Sequence, residues 1–305
     1  MIFKYSILIA SHEPKYYLLE QIESIQDQTH QSWSVFLSDD SISNEWQLKY
    51  SEHLTKIGAK ILQGPKIGFA SNFLSLARNP ELQSDLYAFC DQDDIWDKNK
   101  LEDILQIFTN LDNTIPRLYC GRTIIVDSDN QVIGQSPLFN RAPSFKNALI
   151  QNIGGGNTMV FNNAARNLLL ACPLNLHVVS HDWFFYQLVT GAEGEVIYDP
   201  KPYVKYRQHD ANLVGANIGW SARIRRIKLL LAGRFKDWNE VNVNALLTIS
   251  HLLSPESKKT LQLFILTRAS NSFLTRLFWL KRSGLYRQTF LGNLGLIIGL
   301  ILRKV

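Results

Sequence analysis

Cysteine is scarce in this chain, which has three cysteines among 305 residues, at positions 90, 120 and 172. Their odd number, their wide separation and the lack of a CxxC pair argue against a disulfide framework and against a zinc site. We therefore expect three free thiols, buried in a protein of a reducing compartment.

Long apolar runs are also lacking. The C-terminal run at residues 294–302 falls well short of the ~20 residues that a membrane-spanning helix needs. The first residues lead directly into a strand pattern, without the basic and apolar segments of a signal peptide. No internal repeat or low-complexity segment interrupts the chain, and a hydrophobic content of 46% is typical of a folded protein.

Acidic residues are few in the last third of the chain. Residues 1–210 contain 17 Lys and Arg against 24 Asp and Glu, a balance of −7, whereas residues 211–305 contain 15 against 3, a balance of +12. This change in composition predicts a boundary near Asp210. It also predicts an anionic partner for the C-terminal part, for which an acidic membrane leaflet and nucleic acid are the two candidates.

The first half of the chain alternates between strand and helix patterns. Short apolar runs predict buried strands at residues 5–10, 33–37, 58–62 and 86–90, with helices at 16–28, 45–56 and 70–77 between them. This βαβα order predicts an α/β fold with a mostly parallel sheet that is flanked by helices.

The pattern changes after residue 115. The turn signal Asp-Ser-Asp-Asn at 127–130 lies between two strand patterns and predicts a hairpin. Further strands are predicted at 158–161, 196–198 and 203–206, with helices at 164–171 and from His181 onwards. Beyond Asn217 the chain is predicted to be a helical segment.

Carboxylates cluster at the predicted end of the strand at 86–90, in the motif Asp91-Gln92-Asp93-Asp94-Ile95-Trp96. In open α/β sheets, ligands bind at the carboxyl ends of the strands. Carboxylate oxygens there suit a Mg²⁺ or Mn²⁺ ion, which commonly holds a phosphate-bearing substrate. The alternative is a solvated turn in which Asp94 or Asp97 caps a helix that starts near Lys98.

Basic and apolar residues interleave in the C-terminal part. Four basic residues at 223–228 lie among isoleucines and leucines, and Phe273, Leu277 and Leu280 share a helical face with basic neighbours. This pattern predicts amphipathic helices that lie in the interface of an anionic membrane surface. The alternative is that the same apolar residues pack helices together or form a dimer.

Several motifs, taken in order, resemble those of family 2 glycosyltransferases of the GT-A fold. In the first half they are the strand at 6–10, Ser38-Asp39-Asp40-Ser41 and the motif at 91–96; in the second half they are Gly156-Asn157-Thr158-Met159-Val160, His181-Asp182-Trp183 and Tyr206-Arg207-Gln208-His209. The forms Asp-Gln-Asp-Asp-Ile-Trp and Tyr-Arg-Gln-His are most like those of bacterial rhamnosyltransferases that build surface polysaccharides. The resemblance covers about residues 5–215.

The resemblance implies a nucleotide-sugar site at the ends of the first strands. Asp39 would accept a hydrogen bond from N3–H of the pyrimidine base, and Asp91 would lie near the ribose and the metal. At residues 11–13 the chain has Ser-His-Glu, where relatives usually carry Thr-Tyr-Asn. Ser11 and His12 are assigned to the site on this basis, with the His12 ring stacked on the base.

The resemblance also implies a metal site and a catalytic base. Asp93 would be the main ligand of a Mn²⁺ or Mg²⁺ ion that bridges to the donor diphosphate. His209 would complete this site or bind a diphosphate oxygen, with Arg207 close by. Asp182 would take the proton of the acceptor hydroxyl, as inversion by direct displacement requires. From the residues alone, Asp182 is also placed to cap a helix, and His209 to be a solvated side chain.

These features predict a metal-dependent inverting glycosyltransferase. The predicted donor is dTDP-L-rhamnose, with a UDP-linked hexose or galactofuranose as the alternative. The predicted acceptor is a lipid-linked glycan of a surface polysaccharide, which would locate the enzyme in the cytoplasm, peripherally at the inner face of the cytoplasmic membrane. We expect a GT-A domain at residues 1–215 and a basic, membrane-associating helical segment at 216–305.

Two other classes of protein are disfavoured. A sugar nucleotidylyltransferase would carry a Gly-rich loop with Thr-Arg after the first strand, where this chain has Ser11-His12-Glu13-Pro14. A nucleic-acid-binding protein is supported by the C-terminal charge alone, because no helix-turn-helix, RNP or zinc pattern accompanies it. We therefore expect no nucleic acid as a partner, and the sequence indicates no oligomeric state.

Overall fold

A nine-stranded sheet lies at the centre of the computed structural model, which describes residues 3–208 and 232–305. Its strands are β1 (Tyr5–Ser11), β2 (Trp33–Asp39), β3 (Lys60–Gln63), β4 (Leu86–Asp91), β5 (Ile95–Trp96), β6 (Arg117–Val126), β7 (Val132–Gln135), β8 (Val160–Asn162) and β9 (Glu195–Arg207). The helices that flank the sheet are α1 (Tyr17–Gln26), α2 (Glu45–Lys49), α3 (Ser51–Lys56), α4 (Phe69–Ala77), α5 (Lys100–Thr109), α6 (Phe145–Ala148), α7 (Asn163–Leu170) and α8 (His181–Gly191).

The strand order is β3-β2-β1-β4-β8-β6-β9-β5, with β7 paired to β6. β1 pairs in parallel with β2 on one side and with β4 on the other, and β2–β3 and β6–β9 are also parallel. The strands β5, β7 and β8 pair with their neighbours in the antiparallel sense. The predicted mostly parallel sheet with flanking helices is therefore confirmed, and its parallel strands end at a common edge.

Three predicted elements are divided differently in the structure. The single helix predicted at 45–56 is divided into α2 and α3 at Tyr50, whose φ of −109° and ψ of 12° depart from helical values. The two strands predicted at 196–198 and 203–206 are one strand, β9. Its pairing with β6 continues past an irregularity between Gly121 and Thr123, so the chain does not leave the sheet there.

Aromatic side chains fill the core next to the central strands. Phe89 of β4 and Phe161 of β8 have ring centroids 5.0 Å apart, and Phe161 lies 4.8 Å from Phe185 of α8. Such pairs contribute about 0.5–1.5 kcal/mol each beyond the burial of their area. The same cluster includes Leu246 and Phe264 of the C-terminal helices. Those helices therefore share one core with the sheet.

The C-terminal helices are α9 (Arg234–Thr248), α10 (Pro255–Ala269), α11 (Phe273–Ser283) and α12 (Phe290–Ile301). Two of them begin at local capping signals: the hydroxyl of Ser254 accepts a hydrogen bond from Ser257 N at 3.2 Å, and that of Thr289 from Gly292 N at 3.0 Å. Pro255 occupies the first turn of α10, where a proline is tolerated. Across the described residues, every helix is too short or too polar to span a membrane.

Residues 209–231 lie outside the described residues. This stretch contains His209, the basic residues at 223–228 and the predicted boundary between residues 215 and 216. The metal-binding role of His209 and the division into two segments therefore stay predictions.

Gly154 packs closely against Cys120 of β6. A Cβ atom added at Gly154 would lie 2.5 Å from the Cβ atom of Cys120 on β6, a distance that packed side chains do not adopt. Cys120 is buried and free, as are Cys90 and Cys172, which confirms the prediction of three buried thiols. Glycine is therefore needed at position 154 for the loop to pack on β6.

Gly154→Ala should lower the free energy of unfolding by about 1–3 kcal/mol, the usual result of overpacking a filled site. Gly295→Ala is the matched control, because its added Cβ would meet no described atom within 4 Å beyond its chain neighbours and the backbone of its own helix. In α12, alanine should instead stabilise the helix by about 0.5–1 kcal/mol. Urea denaturation of both variants measures the difference, and equal stabilities would contradict the packing argument.

Candidate active site

The ends of three adjacent strands bring predicted donor-binding residues to one edge of the sheet. In the register of the parallel strands, Ser11 of β1 is opposite Asp39 of β2, and Ala10 is opposite Asp91 of β4. Ser11, Asp39 and Asp91 therefore lie side by side at the edge where open α/β sheets bind ligands. The buried hydroxyl of Ser11 has no hydrogen-bond partner among the described residues.

The carboxylate of Asp39 is buried and receives three hydrogen bonds. Its Oδ1 accepts from the backbone N–H of Ser41 at 3.0 Å. Its Oδ2 accepts from Trp46 Nε1 and Gln47 Nε2, both at 3.0 Å. An ionised carboxylate has about four acceptor positions, so one position on Oδ1 is left for a ligand donor. The hydrogen bonds from Trp46 and Gln47 of α2 fix the orientation of the carboxylate and therefore the direction of its remaining acceptor position.

Reciprocal hydrogen bonds join the ends of β1 and β4. The backbone N–H of His12 donates to Gln92 Oε1 at 2.9 Å, and Gln92 Nε2 donates to the carbonyl oxygen of His12 at 3.1 Å. The His12 ring is exposed, and its Nδ1 lies 3.2 Å from the carbonyl oxygen of Asp40. The ring is thus positioned from β2 and is accessible to a ligand.

Asp94 is the fully buried carboxylate of the Asp-Gln-Asp-Asp turn. Its Oδ2 accepts from Asn157 Nδ2 at 2.5 Å, and its Oδ1 accepts from the backbone N–H of Arg207 at 3.2 Å. Burial and the charge of Asp93 raise the pKa of Asp94 above its usual value. Asn99 occupies the N-cap position of α5, so the alternative in which Asp94 or Asp97 caps that helix is wrong.

Asp91 and Asp93 are partly exposed at the surface of the same turn. Burial, followed by the charges of Asp94 and Asp93, raises the pKa of Asp91 well above its usual range. The carboxylate of Asp182 contributes to the same shift. Asp91 and Asp182, which are far apart in the sequence, therefore lie close enough to repel each other.

A buried lysine lies beneath the carboxylates. Lys100 Nζ donates to the carbonyl oxygen of Asn157 at 3.1 Å and lies 3.3 Å from the centre of the Trp96 ring. Burial lowers the pKa of Lys100 to about 7, and the charges of Asp94 and Asp91 oppose that shift. None of the sequence motifs includes this residue. The sequence feature that indicates its burial is the position of this lysine on the apolar face of the helix predicted after the motif.

Arg207 is almost completely buried behind the turn. Its Nε donates to the carbonyl oxygen of Asp93 at 3.2 Å, and a second nitrogen donates to the carbonyl oxygen of Ser128 at 3.1 Å. Its remaining nitrogen forms an ion pair of 2.5 Å with Glu20, and the guanidinium lies 4.4 Å from the Tyr17 ring centre. These contacts position the turn. A direct role of Arg207 toward the donor stays a prediction.

Asp182 lies in the first turn of α8. Its Oδ2 accepts from Asn152 Nδ2 at 2.9 Å, and its Oδ1 accepts from the backbone N–H of Trp183 at 2.7 Å. Ser180 occupies the N-cap position, so the alternative that Asp182 is the N-cap is wrong. The carboxylate is partly exposed and its direction is set by Asn152, a residue that the sequence analysis did not single out.

His181, which precedes Asp182, is buried among aromatic rings. It stacks on Phe73 with centroids 4.1 Å apart and meets Phe89 edge-on at 5.0 Å. A Cβ atom at Gly156 would overlap its Nε2, so only glycine allows the two segments to approach. Within the described part of the chain, neither ring nitrogen has a hydrogen-bond partner. Burial lowers the pKa of His181 to about 4.

The carboxylates at this edge suit a divalent cation that is shared with a substrate. In residues 3–208 and 232–305, no three or more His, Cys, Asp and Glu side chains are arranged to hold a metal ion by themselves. Asp91 and Asp93 nevertheless offer hard oxygen ligands in surroundings where negative charge is in excess. Two carboxylates together with substrate phosphates and water are the usual ligands of Mg²⁺ at phosphate sites.

A parallel sheet with acidic residues at the ends of β2 and β4, and a further carboxylate on a later helix, defines an α/β fold of the GT-A type. The chain belongs to glycosyl transferase family 2, which matches residues 6–167. The resemblance seen in the motifs is thereby confirmed, and the protein is a glycosyltransferase.

Two relatives show the range of this similarity. The chain is 28% identical over 249 residues to the dTDP-rhamnosyl transferase RfbG of Shigella flexneri, an alignment that covers 73% of this chain and 78% of that protein. It is 31% identical over 133 residues to WfgD of Escherichia coli, a UDP-Glc:α-D-GlcNAc-diphosphoundecaprenol β-1,3-glucosyltransferase, which covers 43% of this chain and 49% of that protein.

A solved structure supports the fold. The mannosyltransferase PcManGT of Pyrobaculum calidifontis, in complex with GDP-Man and Mn²⁺, superposes with a TM-score of 0.52 at 13% identity. The superposition covers 93% of this chain and 86% of that one. At this identity the likeness establishes the GT-A-like fold alone.

The buried ring of His181 predicts a loss of stability in acid. Its pKa of about 4 in the folded state lies below the ordinary value of 6.5, so the unfolded chain binds the proton first. Stability should therefore fall as the pH drops from about 6.5 towards 4, by about 3 kcal/mol for this residue.

His181→Leu, which keeps a similar volume, should remove that part of the pH dependence. Urea denaturation at neutral pH and near pH 4 measures it, with exposed His177→Leu as the matched control that should retain the wild-type profile. If both variants lose stability in acid as the wild type does, the buried imidazole is not the cause.

Proposed function

We propose that the protein transfers L-rhamnose from dTDP-L-rhamnose, with inversion, to a lipid-linked glycan acceptor of a surface polysaccharide. The observation that carries this proposal is the meeting of Asp91, Asp93 and Asp182 at the carboxyl edge of the sheet in a family 2 glycosyltransferase. The rhamnosyl donor is supported by the similarity to RfbG, whose alignment extends beyond the family match.

The donor nucleotide would lie across the ends of β1, β2 and β4. Asp39 has an acceptor position left on Oδ1 for N3–H of the thymine base, and the exposed His12 ring is available to stack on that base. The unpartnered hydroxyl of Ser11 and the carboxylate of Asp91 are nearest to the sugar of the nucleotide in this arrangement.

The leaving diphosphate requires compensation of its charge. Asp93, with Asp91 beside it and His209 as a further ligand, would hold Mn²⁺ or Mg²⁺, which when bound neutralises the charge of the diphosphate as it leaves. Arg207 contributes by fixing the backbone of Asp93, whose carbonyl oxygen it binds at 3.2 Å.

Asp182 would act as the base on the acceptor side. Its carboxylate is held by Asn152 and by the backbone N–H of Trp183, and it remains partly exposed. A carboxylate so oriented can accept the proton of an acceptor hydroxyl as that oxygen attacks the anomeric carbon.

A UDP-linked sugar is the second candidate donor, and the similarity to the UDP-Glc-dependent WfgD favours it. Thymine and uracil both present N3–H to Asp39, so this residue does not distinguish them. The name of WfgD also includes a diphosphoundecaprenol-linked acceptor. An acceptor of that kind would bring the enzyme to the inner face of the cytoplasmic membrane.

The direct test measures release of the nucleoside diphosphate by the purified protein in the presence of Mn²⁺ and a lipid-linked acceptor fraction. The donors compared are dTDP-L-rhamnose, UDP-glucose and UDP-galactofuranose. Acceptor-dependent release of dTDP, with little release of UDP, is the expected result. Release from a UDP-sugar alone would favour the second candidate, and no release from any donor would count against transferase activity.

Asp93→Asn tests the metal ligand. The change keeps the volume and removes the charge, so it should abolish the Mn²⁺-dependent thermal stabilisation by dTDP while the protein remains folded. Asp97→Asn is the matched control, since Asp97 follows closely in the sequence but is exposed beyond the turn. Undiminished Mn²⁺-dependent stabilisation of Asp93→Asn would remove this residue from the metal site.

Asp182→Asn tests the base. It should lower transfer by ~10²-fold or more and leave thermal stabilisation by the donor nucleotide intact. Asp237→Asn provides a matched change, because Asp237 is an exposed acidic residue in the first turn of α9. Near-normal transfer by Asp182→Asn would show that the carboxylate serves only the helix.

A further inference from the structure

The solvent-facing side of α12 is entirely apolar. Its exposed residues recur at helical spacing and are Phe290, Leu291, Leu294, Ile297, Ile298 and Ile301. The opposite side, with Leu296 and Leu300, is buried in the core. An ordinary surface helix presents polar residues to water, whereas this helix is apolar on both its buried and its exposed side. We call the six exposed residues the α12 stripe.

The neighbouring helix α11 extends the same kind of surface. Leu274 and Phe278 are exposed one turn apart, and Lys281 and Arg282 are exposed at the next turn. The two helices are joined by buried Arg276, which donates to the carbonyl oxygen of Leu300 at the end of α12. We call Lys281 and Arg282 the basic margin. The α12 stripe and this margin therefore belong to two helices that pack together.

Charge identifies the partner of this surface. From residue 257 to residue 305 the chain has nine Lys and Arg and not one Asp or Glu. Lys281 and Arg282 are the exposed cations on α11, and a second copy of the same surface would oppose them with the same cations, which disfavours a symmetric dimer. An anionic lipid leaflet offers both an apolar phase for the stripe and negative charge for the margin.

We propose that α11 and α12 dock on an anionic lipid surface, with the α12 stripe inserted and α12 lying parallel to the membrane plane. The twelve residues of α12 span about 18 Å, against about 30 Å for the hydrocarbon core, so the helix lies in the interface and does not cross it. Interfacial helices of this kind combine apolar burial with electrostatic attraction to acidic lipids.

The docking surface is linked to the candidate active site. Gln288, just before α12, donates from its backbone N–H to Gln151 Oε1 at 2.8 Å, and Arg287 donates to the carbonyl oxygen of Ile150 at 3.3 Å. The next residue along that segment, Asn152, donates to Asp182 at 2.9 Å. This inference rests on the proposed function, because the docking surface would serve to present a lipid-linked acceptor beside Asp182.

Vesicle flotation with the full chain tests the proposal. One set of vesicles is equimolar phosphatidylglycerol and phosphatidylcholine, and the other is phosphatidylcholine alone. The wild type should partition to the anionic vesicles, less so at high salt. The double variant Phe290→Ser, Leu291→Ser should bind on the order of a hundredfold more weakly, because two inserted side chains are lost.

Two further variants separate the contributions. Leu174→Ser is the control, since Leu174 is 85% exposed, as Phe290 is at 83%, but lies before α8. It should bind vesicles as the wild type does. The double variant Lys281→Gln, Arg282→Gln should bind anionic vesicles about thirtyfold more weakly at low salt and approach wild-type binding at high salt.

Vesicle binding that is unchanged in the Phe290 and Leu291 variant, or reduced equally by Leu174→Ser, would overturn the proposal. A dimer seen by sedimentation in the absence of lipid would also overturn it, if the Phe290 and Leu291 variant abolishes that dimer and vesicles bind neither the wild type nor the variant. Nucleotide release with a short water-soluble acceptor distinguishes the two proposals. The Phe290 and Leu291 variant should retain this release. A variant that no longer floats with vesicles but still releases the nucleotide has lost docking alone, and the proposed activity is unaffected.

Discussion

Asp94 has a carboxylate that is cut off from solvent, and its two donors come from distant parts of the chain. Asn157 lies before β8, and the donating N–H of Arg207 lies at the end of β9. An unpaired buried acceptor of this kind costs about 1–3 kcal/mol, and more when it is charged. Asp94 therefore holds three segments together, and Asp91 and Asp93 take their positions from the same turn.

The cations that accompany this carboxylate lie on the protein side of the turn. Lys100 is buried beneath Trp96, and Arg207 is engaged by Glu20 and by backbone carbonyl oxygens. The partly exposed carboxylates Asp91 and Asp93 thus lie on the solvent side of the turn, where Asp182 adds negative charge. Such crowding opposes folding on its own, and natural proteins tolerate it chiefly where a ligand supplies the missing charge.

The sequence was sufficient for the strand ends but not for the contacts behind them. Alternating strands and helices predict a parallel sheet, and a parallel sheet brings Asp39 and Asp91 to one edge. The partners of Asp94, by contrast, are 63 and 113 residues away, and Arg207 meets Glu20 across 187 residues. Periodicity carries no information about such pairs. For the same reason Asn152 and Lys100 were not anticipated, and the periodicity does not indicate the break at Tyr50, whose ring is buried.

The uneven distribution of charge along the chain is the one that the two proposed surfaces would require. A site for a nucleoside diphosphate through a divalent cation needs carboxylates, and these are concentrated before residue 210. A lipid leaflet with acidic head groups repels carboxylates and attracts Lys and Arg, and the chain after Glu256 has lost every acidic residue. Because α9 and α10 share the core of the sheet, the two kinds of surface are held on one body. A membrane-bound acceptor could then meet a soluble donor without a motion of one domain past another, which is the arrangement that the contacts of Gln288 with Gln151 favour.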